Sequence, residues 1–344
     1  MKVEKDITIY DLAHELNLSA ATVSRALNHH PTINKNTRKR IIELAQKRGY
    51  RSNTFASNLR KQHTNTIGLI LHELNSQFMV SVLSGIEKVT TEANYDLIIG
   101  HSSESSKKEA ANALNFFNKR VDGLIASLAF DTENLDHFAP YKKRGIPVVF
   151  FDRVFEEAEG AKVIINNRKA GFEATRHLIM EGCTKIVHVT ASLQRNVYSE
   201  RFKGYQEALQ AHHLRFMEKN LLITDLSEKD CIAAAKKILA MKPMPDGIFV
   251  TNDFSAAVIM RTLQDAGIRI PEDIAIVGFN NDTISTLIQP TLTTINYPGA
   301  EIGEIVAQNL IQHLQGKSDL SLTNTIIINS ALIIRASSSR KNKL

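Results

Sequence analysis

Cysteine is almost absent from this chain: Cys183 and Cys231 are the only two in 344 residues, with no C-x-x-C spacing and no matching histidine cluster. Neither a disulfide framework nor a zinc site is expected, and both cysteines read as packing residues. Long apolar runs are missing as well: none approaches the length needed to span a bilayer, and the opening MKVEKDITIY has no signal-peptide core. A cytoplasmic protein without membrane contact is therefore expected. The sequence also lacks a Walker loop, a G-x-G-x-x-G, an H-E-x-x-H and a G-x-S-x-G, motifs that carry much of phosphate, dinucleotide, metal and acyl chemistry. Ser105 and Lys108 have S-x-x-K spacing, but within SSESSKKEAA they read as a capped helix start, not as nucleophile and base. His212 and His213 are adjacent on an expected helix, so they point apart and chelate badly. No enzymatic activity, metal or cofactor is expected.

What is present begins at residues 8–27, TIYDLAHELNLSAATVSRAL. Thr8 with Asp11 forms a capping-box start, and Ile9, Leu12, Ala13 and Leu16 make one apolar stripe. Asn17 tolerates the left-handed turn that ends a helix, and Ser19 is a good cap for the next one. Two short helices joined by a tight corner result, and the second offers the small first turn of Ala20, Ala21, Thr22 and Ser24, with Arg25 a turn later, to a DNA major groove. A third helix is expected over 34–48, with Ile41, Leu44 and Ala45 inward, Arg38, Lys39, Arg40, Lys47 and Arg48 outward, and Gly49 as its stop. Charge supports the assignment. Residues 1–65 hold twelve Lys and Arg against five Asp and Glu, a surplus of seven in a chain whose net charge is +6. A concentrated basic head is the electrostatic footprint of phosphate contact.

From residue 66 the pattern changes to short apolar runs separated by helical stretches, as in parallel strands covered by helices on both faces. Runs begin near Ile67, Tyr95, Val121 and Pro147, and again near Lys185, Asn220, Asp246 and Ala275. DGLIAS in the first series is echoed by DGIFVT in the second, marking corresponding third strands. The expected fold is α/β: a small all-α helix-turn-helix head and a core of two tandem, doubly wound parallel-sheet subdomains. The 43% hydrophobic content suffices for such cores. Two open sheets facing one another bind ligands at the carboxyl ends of their strands. There lie Asn75, Ser76 and Phe78, then His101 and Ser102, Ser127, Asp152 and Arg153, and in the second half Thr251, Asn252 and Asp253, then Asn280, Asn281 and Asp282.

These residues resemble a known family. TIYDLA at 8–13, S-x-x-TVSRALN at 19–28, RGY at 48–50, FFDR at 150–153, ERFKGY at 200–205, TNDFSA at 251–256, GFNND at 278–282 and P-x-LTT at 290–294 are similar to the lactose-repressor/galactose-repressor family of bacterial transcription regulators, over essentially the whole chain. The resemblance implies a DNA-binding head at 1–50, a hinge at 51–65, and a periplasmic-binding-protein-like core at 66–344 that dimerises. Its subdomains would be 66–165 plus 295–325, and 166–294 plus 326–340. It places Ala20, Ala21 and Arg25 on DNA bases, Thr8, Ser19, Thr22, Ser24 and Asn28 on phosphates or in support, and Leu59 as a minor-groove wedge. The hinge is too short to be helical alone in water and is expected to order on DNA.

In the core the resemblance implies Asp152, Arg201, Asn252 and Asn280 on ligand hydroxyls and Phe78 and Tyr297 as apolar walls, with Arg153 supporting. Asn75, Ser102 and Ser127 join them at the strand ends, and Asp253 is expected to cap the helix that follows it. Two departures stand out: Asn280 where the family is often acidic, and Ser52 where it often has proline. The first leaves Arg201 and Arg195 free, on this reading, for an anionic sugar. The expected partners are double-stranded operator DNA, a second copy of the chain, and a small effector: a sugar, sugar acid or sugar phosphate. Control by a partner protein instead of a sugar is the alternative. A transport protein would share the core but would not carry the basic head.

Overall fold

The computed structural model describes residues 7–50, 63–155, 160–320 and 325–340, and the chain divides into two compact units, 1–64 and 65–344. In the first, α1 (Ile9–Leu16) starts where Thr8 Oγ1 accepts the Asp11 amide at 3.3 Å while Asp11 Oδ2 accepts the Thr8 amide at 2.7 Å. It ends at Asn17, in the left-handed region at φ 56°. Ser19 then caps α2 (Ala20–Leu27) by accepting the Thr22 amide at 3.1 Å. Asn34 opens α3 (Lys35–Lys47), and Gly49 beyond it has φ +65°. The three helices close over Leu12, Val23, Ala26 and Ile41, all without solvent exposure, so each short helix is held by shared burial more than by its own propensity. Arg38, expected outward, is half-buried. Its Nη2 donates to the carbonyls of His30 at 2.9 Å and Ile33 at 3.3 Å, tying down the loop before α3. Residues 51–62 of the expected hinge, Leu59 among them, lie outside the described residues.

The second unit alternates strand and helix: β1 (Thr66–Leu71), α4 (Gln77–Glu92), β2 (Asp96–His101), α5 (Ser106–Asn118), β3 (Gly123–Ala126), α6 (Ala139–Lys143), β4 (Val148–Phe151) and β5 (Lys162–Ile165). The second half follows with α7 (Asn167–Met180), β6 (Ile186–Thr190), α8 (Asn196–Ala211), β7 (Leu221–Ile223), α9 (Glu228–Ala240), β8 (Gly247–Val250), α10 (Asp253–Asp265), β9 (Ala275–Asn280), α11 (Ile284–Leu287) and β10 (Thr293–Asn296). The chain returns to the first half as α12 (Gly299–Leu314) and β11 (Thr325–Ile328), and ends in the second as β12 (Leu332–Ile333). The sheets run β11-β5-β4-β3-β1-β2 and β12-β10-β9-β8-β6-β7, parallel except for β12 against β10. Each half places its second strand outside its first and its third on the other side, the doubly wound order whose reversal point forms a crevice.

The DGLIAS/DGIFVT echo has a structural counterpart. Asp122 accepts the Asn65 amide at 2.7 Å, and Asp246 accepts the Thr184 and Lys185 amides at 2.8–3.0 Å. In each half the aspartate before the third strand holds the entry to the first. The expected crossings between halves shift, however. Residues 293–296 pair with β9 in the second sheet and 325–328 pair with β5 in the first, so the chain crosses after Asn296 and after Ile328, not at 294/295 and 325/326. TIIINSALII is a nearly continuous apolar run, and only Asn329-Ser330 marks where one strand stops and the next begins. Ser105 does cap α5, accepting the Lys108 amide. The histidine pair lies past α8, not on it: His212 follows the last turn and His213 has φ 57°. Cys183 and Cys231 are buried and free.

Candidate functional site

On the head, Thr8, Ser19, Ala21, Arg25 and Asn28 are exposed, and Ala20, Thr22 and Ser24 half-buried. Ser19 Oγ lies 2.9 Å from Thr22 Oγ1, and Asn28 Nδ2 donates to the Ser24 carbonyl at 2.9 Å. The first turn of α2 thus presents a low surface of methyls and hydroxyls, with Arg25 as its long cationic side chain. Such a turn fits closely against a groove floor.

In the core unit, a cavity of about 630 Å³ opens between the carboxyl ends of the two sheets. Of the sequence-expected ligand residues, Asn75, Phe78, Asp152, Arg153, Arg201, Asn252, Asn280 and Tyr297 line it. Ser102 and Ser127 do not. Both are fully buried: Ser102 Oγ donates to the Leu71 carbonyl at 3.3 Å, and Ser127 Oγ lies 2.9 Å from His72 Nδ1. They support the strand ends from behind the wall. Arg195 does not line the cavity either; it donates to the Thr132 carbonyl and sits over the Phe155 ring at 5.0 Å.

The deep wall is built around two buried arginines and an aspartate. α8 delivers Arg201, whose Nε donates to Asn167 Oδ1 at 2.9 Å and Nη1 to the Thr251 carbonyl at 3.0 Å, with the guanidinium 3.5 Å over Phe279. This position requires α7 and α8 to touch. Gly171 and Gly204 face each other's helix so closely that a Cβ on either would overlap a backbone carbonyl, of Arg201 and Arg168 respectively. Arg153 Nη1 is bidentate to Glu104 at 2.7–2.8 Å, Nη2 reaches Tyr198 Oη at 3.2 Å, and the guanidinium lies 4.2 Å over Phe130. Asp152 is held at φ 57°, a left-handed conformation that an aspartate adopts at a cost. Its Oδ1 accepts the Tyr297 hydroxyl at 2.6 Å. Burial pushes the Asp152 carboxyl up, and Arg153 and the Tyr297 bond pull it back. Tyr297 stacks on Phe78 at 4.0 Å, so both apolar walls form one slab.

The second half contributes Asn252 and Asn280. Asn252 caps α10, its Oδ1 accepting the Ser255 amide at 2.7 Å, which leaves its amide NH2 for other contacts. The cap was expected from Asp253. That side chain is instead fully buried, accepting the Thr294 hydroxyl at 2.7 Å and the Asp282 amide at 2.8 Å, and burial pushes its carboxyl up to about 8. Asn280 Nδ2 donates to Asp282 Oδ2 at 3.3 Å, so a carboxylate two residues on replaces the charge missing at 280. Sequence reasoning missed His72, Glu73, Gln77, Glu104, Tyr198, Asp225 and Glu228, which also line the cavity. Glu73 and Glu104 lie at the same strand ends as Asn75 and Ser102, a legible signal; Tyr198 lies mid-chain on a helix and gave none. Gln77 bridges the halves: Oε1 accepts the Thr283 amide at 2.7 Å and Nε2 donates to the Thr283 hydroxyl at 2.5 Å. Among the described residues there is no group of three His, Cys, Asp or Glu able to hold a metal ion, and no helix is long and apolar enough to cross a membrane.

Comparison with known proteins places this geometry. Residues 8–53 match the family described as bacterial regulatory proteins, lacI family, and residues 175–338 match a periplasmic binding protein-like domain. The chain is 32% identical over 310 residues to catabolite control protein A of Priestia megaterium, covering 90% of this chain and 93% of that one. It is 28% identical over 331 residues to the transcriptional repressor PurR of Photobacterium profundum, covering 96% and 98%. Its fold is similar to that of a lac repressor dimer bound to operator and an anti-inducer, with a TM-score of 0.86 at 22% identity over 97% of this chain and 99% of that one. A basic three-helix head and paired doubly wound sheets around a cavity, with these relatives, lead to one conclusion: the chain belongs to the lacI family of bacterial regulatory proteins and is a DNA-binding regulator, not an enzyme.

Proposed function

We propose that the protein is a repressor of carbohydrate-utilisation genes that binds a pseudo-palindromic operator as a homodimer and releases or tightens it on binding a small sugar. The observation that carries this reading is the cavity. It is walled by both halves of the core, with hydrogen-bonding groups on one side and the Phe78–Tyr297 slab on another, the mixed lining that a sugar ring's polar edges and apolar faces require. In the head, Ala20, Ala21 and Arg25 read bases, Arg25 as the hydrogen-bonding reader of guanine. Thr8, Ser19, Thr22, Ser24 and Asn28 take or support phosphate contacts, and Leu59 wedges the minor groove. In the cavity, Asp152, Arg201, Asn252 and Asn280 take the effector's hydroxyls, with Asn75 at the rim and Arg153 fixing the wall.

A dimer is supported by apolar exposure at one edge of the first sheet, where edge strand β2 leaves Ile99 at 44% and the helix after it leaves Leu114 at 57%. An unpaired edge with exposed apolar side chains favours pairing. Effector binding changes the relative position of the two halves, and a coupling of about 1–3 kcal/mol through residues 51–65 suffices for a useful switch. The test is selection of a randomised operator library by wild type and Arg25→Ala, followed by operator titration with and without sugars. Arg25→Ala relaxes preference at one base pair per half-site. Unchanged preference would reject Arg25 as a reader, and operator affinity indifferent to every sugar would reject sugar control in favour of a protein partner.

A further inference from the structure

The charge lining the cavity is one-sided, and it opposes the anionic effector expected from Asn280. Six carboxylates face it, those of Glu73, Glu104, Asp152, Asp225, Glu228 and Asp282, against the two guanidiniums of Arg153 and Arg201. Asp225 and Glu228 belong to the start of α9, where backbone amides and the helix dipole stabilise negative charge. Glu104 takes both of its oxygens to Arg153 Nη1. The second terminal nitrogen of Arg153 goes to Tyr198, so its guanidinium is already engaged. Asp152 has the Tyr297 hydroxyl. Glu73 is left without a cation in hydrogen-bond contact: His72 Nε2 is 3.8 Å away, and burial holds that imidazole well below its ordinary range, so it is neutral. Desolvation, with the neighbouring carboxylates of Glu104 and Asp152, pushes the Glu73 carboxyl up against the opposing pull of Arg153 and Ser76, the mark of a negative charge that is only partly compensated. Arg201 supplies a second, independent pointer to a ligand. It is 4% exposed and lines the cavity, and among the described residues its Nη2 has no hydrogen-bond partner while Nε and Nη1 are both used.

Resting on the sugar-binding reading above, we infer that the effector is a polyhydroxylated ring carrying an ammonium group, with hydroxyls toward Arg201 and Asp152 and the ammonium against Glu73. Such a ligand satisfies the free donor of Arg201 through a hydroxyl oxygen and supplies the cation that Glu73 lacks. An added carboxylate or phosphate would gain at Arg201 but enter a cavity lined by six carboxyl groups against two guanidiniums.

The experiment is calorimetric titration of the full chain with matched gluco, galacto and manno series, each as neutral hexose, hexosamine and hexuronate, at about pH 6.5, where the amine is protonated. In the series that fits, the hexosamine binds about tenfold or more tightly than its neutral congener, the gain expected for a charge-assisted contact, and Glu73→Gln abolishes that preference. Equal binding of hexose and hexosamine, or a preference for the hexuronate, overturns the charge assignment even if Glu73→Gln fails to fold, because wild type alone decides it. Scoring the same sugars for operator affinity separates the two readings. A neutral or acidic sugar that shifts operator binding leaves sugar control standing without the ammonium, whereas no binding by any member counts against both.

Discussion

Tyr297→Phe removes one oxygen from the centre of the cavity wall and leaves everything else in place. The Phe78 stack at 4.0 Å survives because the ring is unchanged, and no void larger than a hydroxyl is created. What is lost is the donor 2.6 Å from Asp152 Oδ1, between residues that are each 5% exposed, Tyr297 lying where the chain crosses from the second half back to the first. A hydrogen bond to a charged acceptor is worth about 1.5–3 kcal/mol, and losing its donor leaves a buried carboxylate short of one partner. At roughly 2–4 °C per kcal/mol for a domain of this size, the melting temperature falls by about 3–12 °C. The effect depends on pH with a definite sign. The hydroxyl favours the ionised form, so the carboxyl of folded Asp152 titrates higher in the variant than in wild type. Between the two values the folded variant holds more protons, and by linkage its stability recovers relative to wild type as pH falls. Urea unfolding of both proteins across the acid-to-neutral range measures this. A neutral-pH deficit below about 0.5 kcal/mol would refute the assignment of the bond as energetically significant. A deficit that does not shrink toward acid would refute its attribution to the Asp152 charge.

Gly204→Ala forces a methyl against the Arg168 carbonyl, and the separation of α7 and α8 costs about 1–3 kcal/mol or more; calorimetry shows a lowered melting temperature, and effector affinity falls with it because Arg201 moves. Asp253 contributes a pH slope of the opposite kind from an ordinary ion-paired aspartate. Its folded carboxyl at about 8 holds a proton that the unfolded chain has released, so stability declines as pH rises from the ordinary carboxyl range toward 8. Asp253→Asn flattens that part of the stability profile, as followed by melting temperature against pH in the two proteins.

Much of this architecture was legible from local patterns because local physics decides it. Thr8, Asp11 and Ser19 mark helix starts through hydrogen bonds between residues three apart, and Asn17 marks a helix end by taking the left-handed conformation. Eight apolar runs announced eight of the strands, most plainly interior ones such as β3 and β8, because a strand buried on both faces must be apolar throughout. The four that went unannounced, β5, β10, β11 and β12, are two to four residues long. β11 and β12 divide one continuing apolar run between the two sheets, and nothing local tells where one stops and the other begins. The site divides in the same way. Residues that follow a strand directly, such as Asp152 and Asn252, were found because polar groups at strand ends gather at one edge. Ser102 and Ser127 share that signature yet point behind the wall, since successive side chains face opposite ways and only packing decides which way is the cavity.

The sequence by itself determined the basic three-helix head, the tandem α/β core and most of the polar groups around its cleft, because capping, hydrophobic period and charge act over a few residues. Only the tertiary structure decided the electrostatic character of the cavity. It brought Glu73, Glu104, Asp225, Glu228 and Asp282 to one surface with Arg153 and Arg201, withdrew Arg195 into a carbonyl and ring contact, and buried Asp253 away from the cap it was expected to form. Charges separated by up to about two hundred residues sum into one field only after folding sets the distances between them, and Coulomb energy depends on those distances and on burial, not on order along the chain.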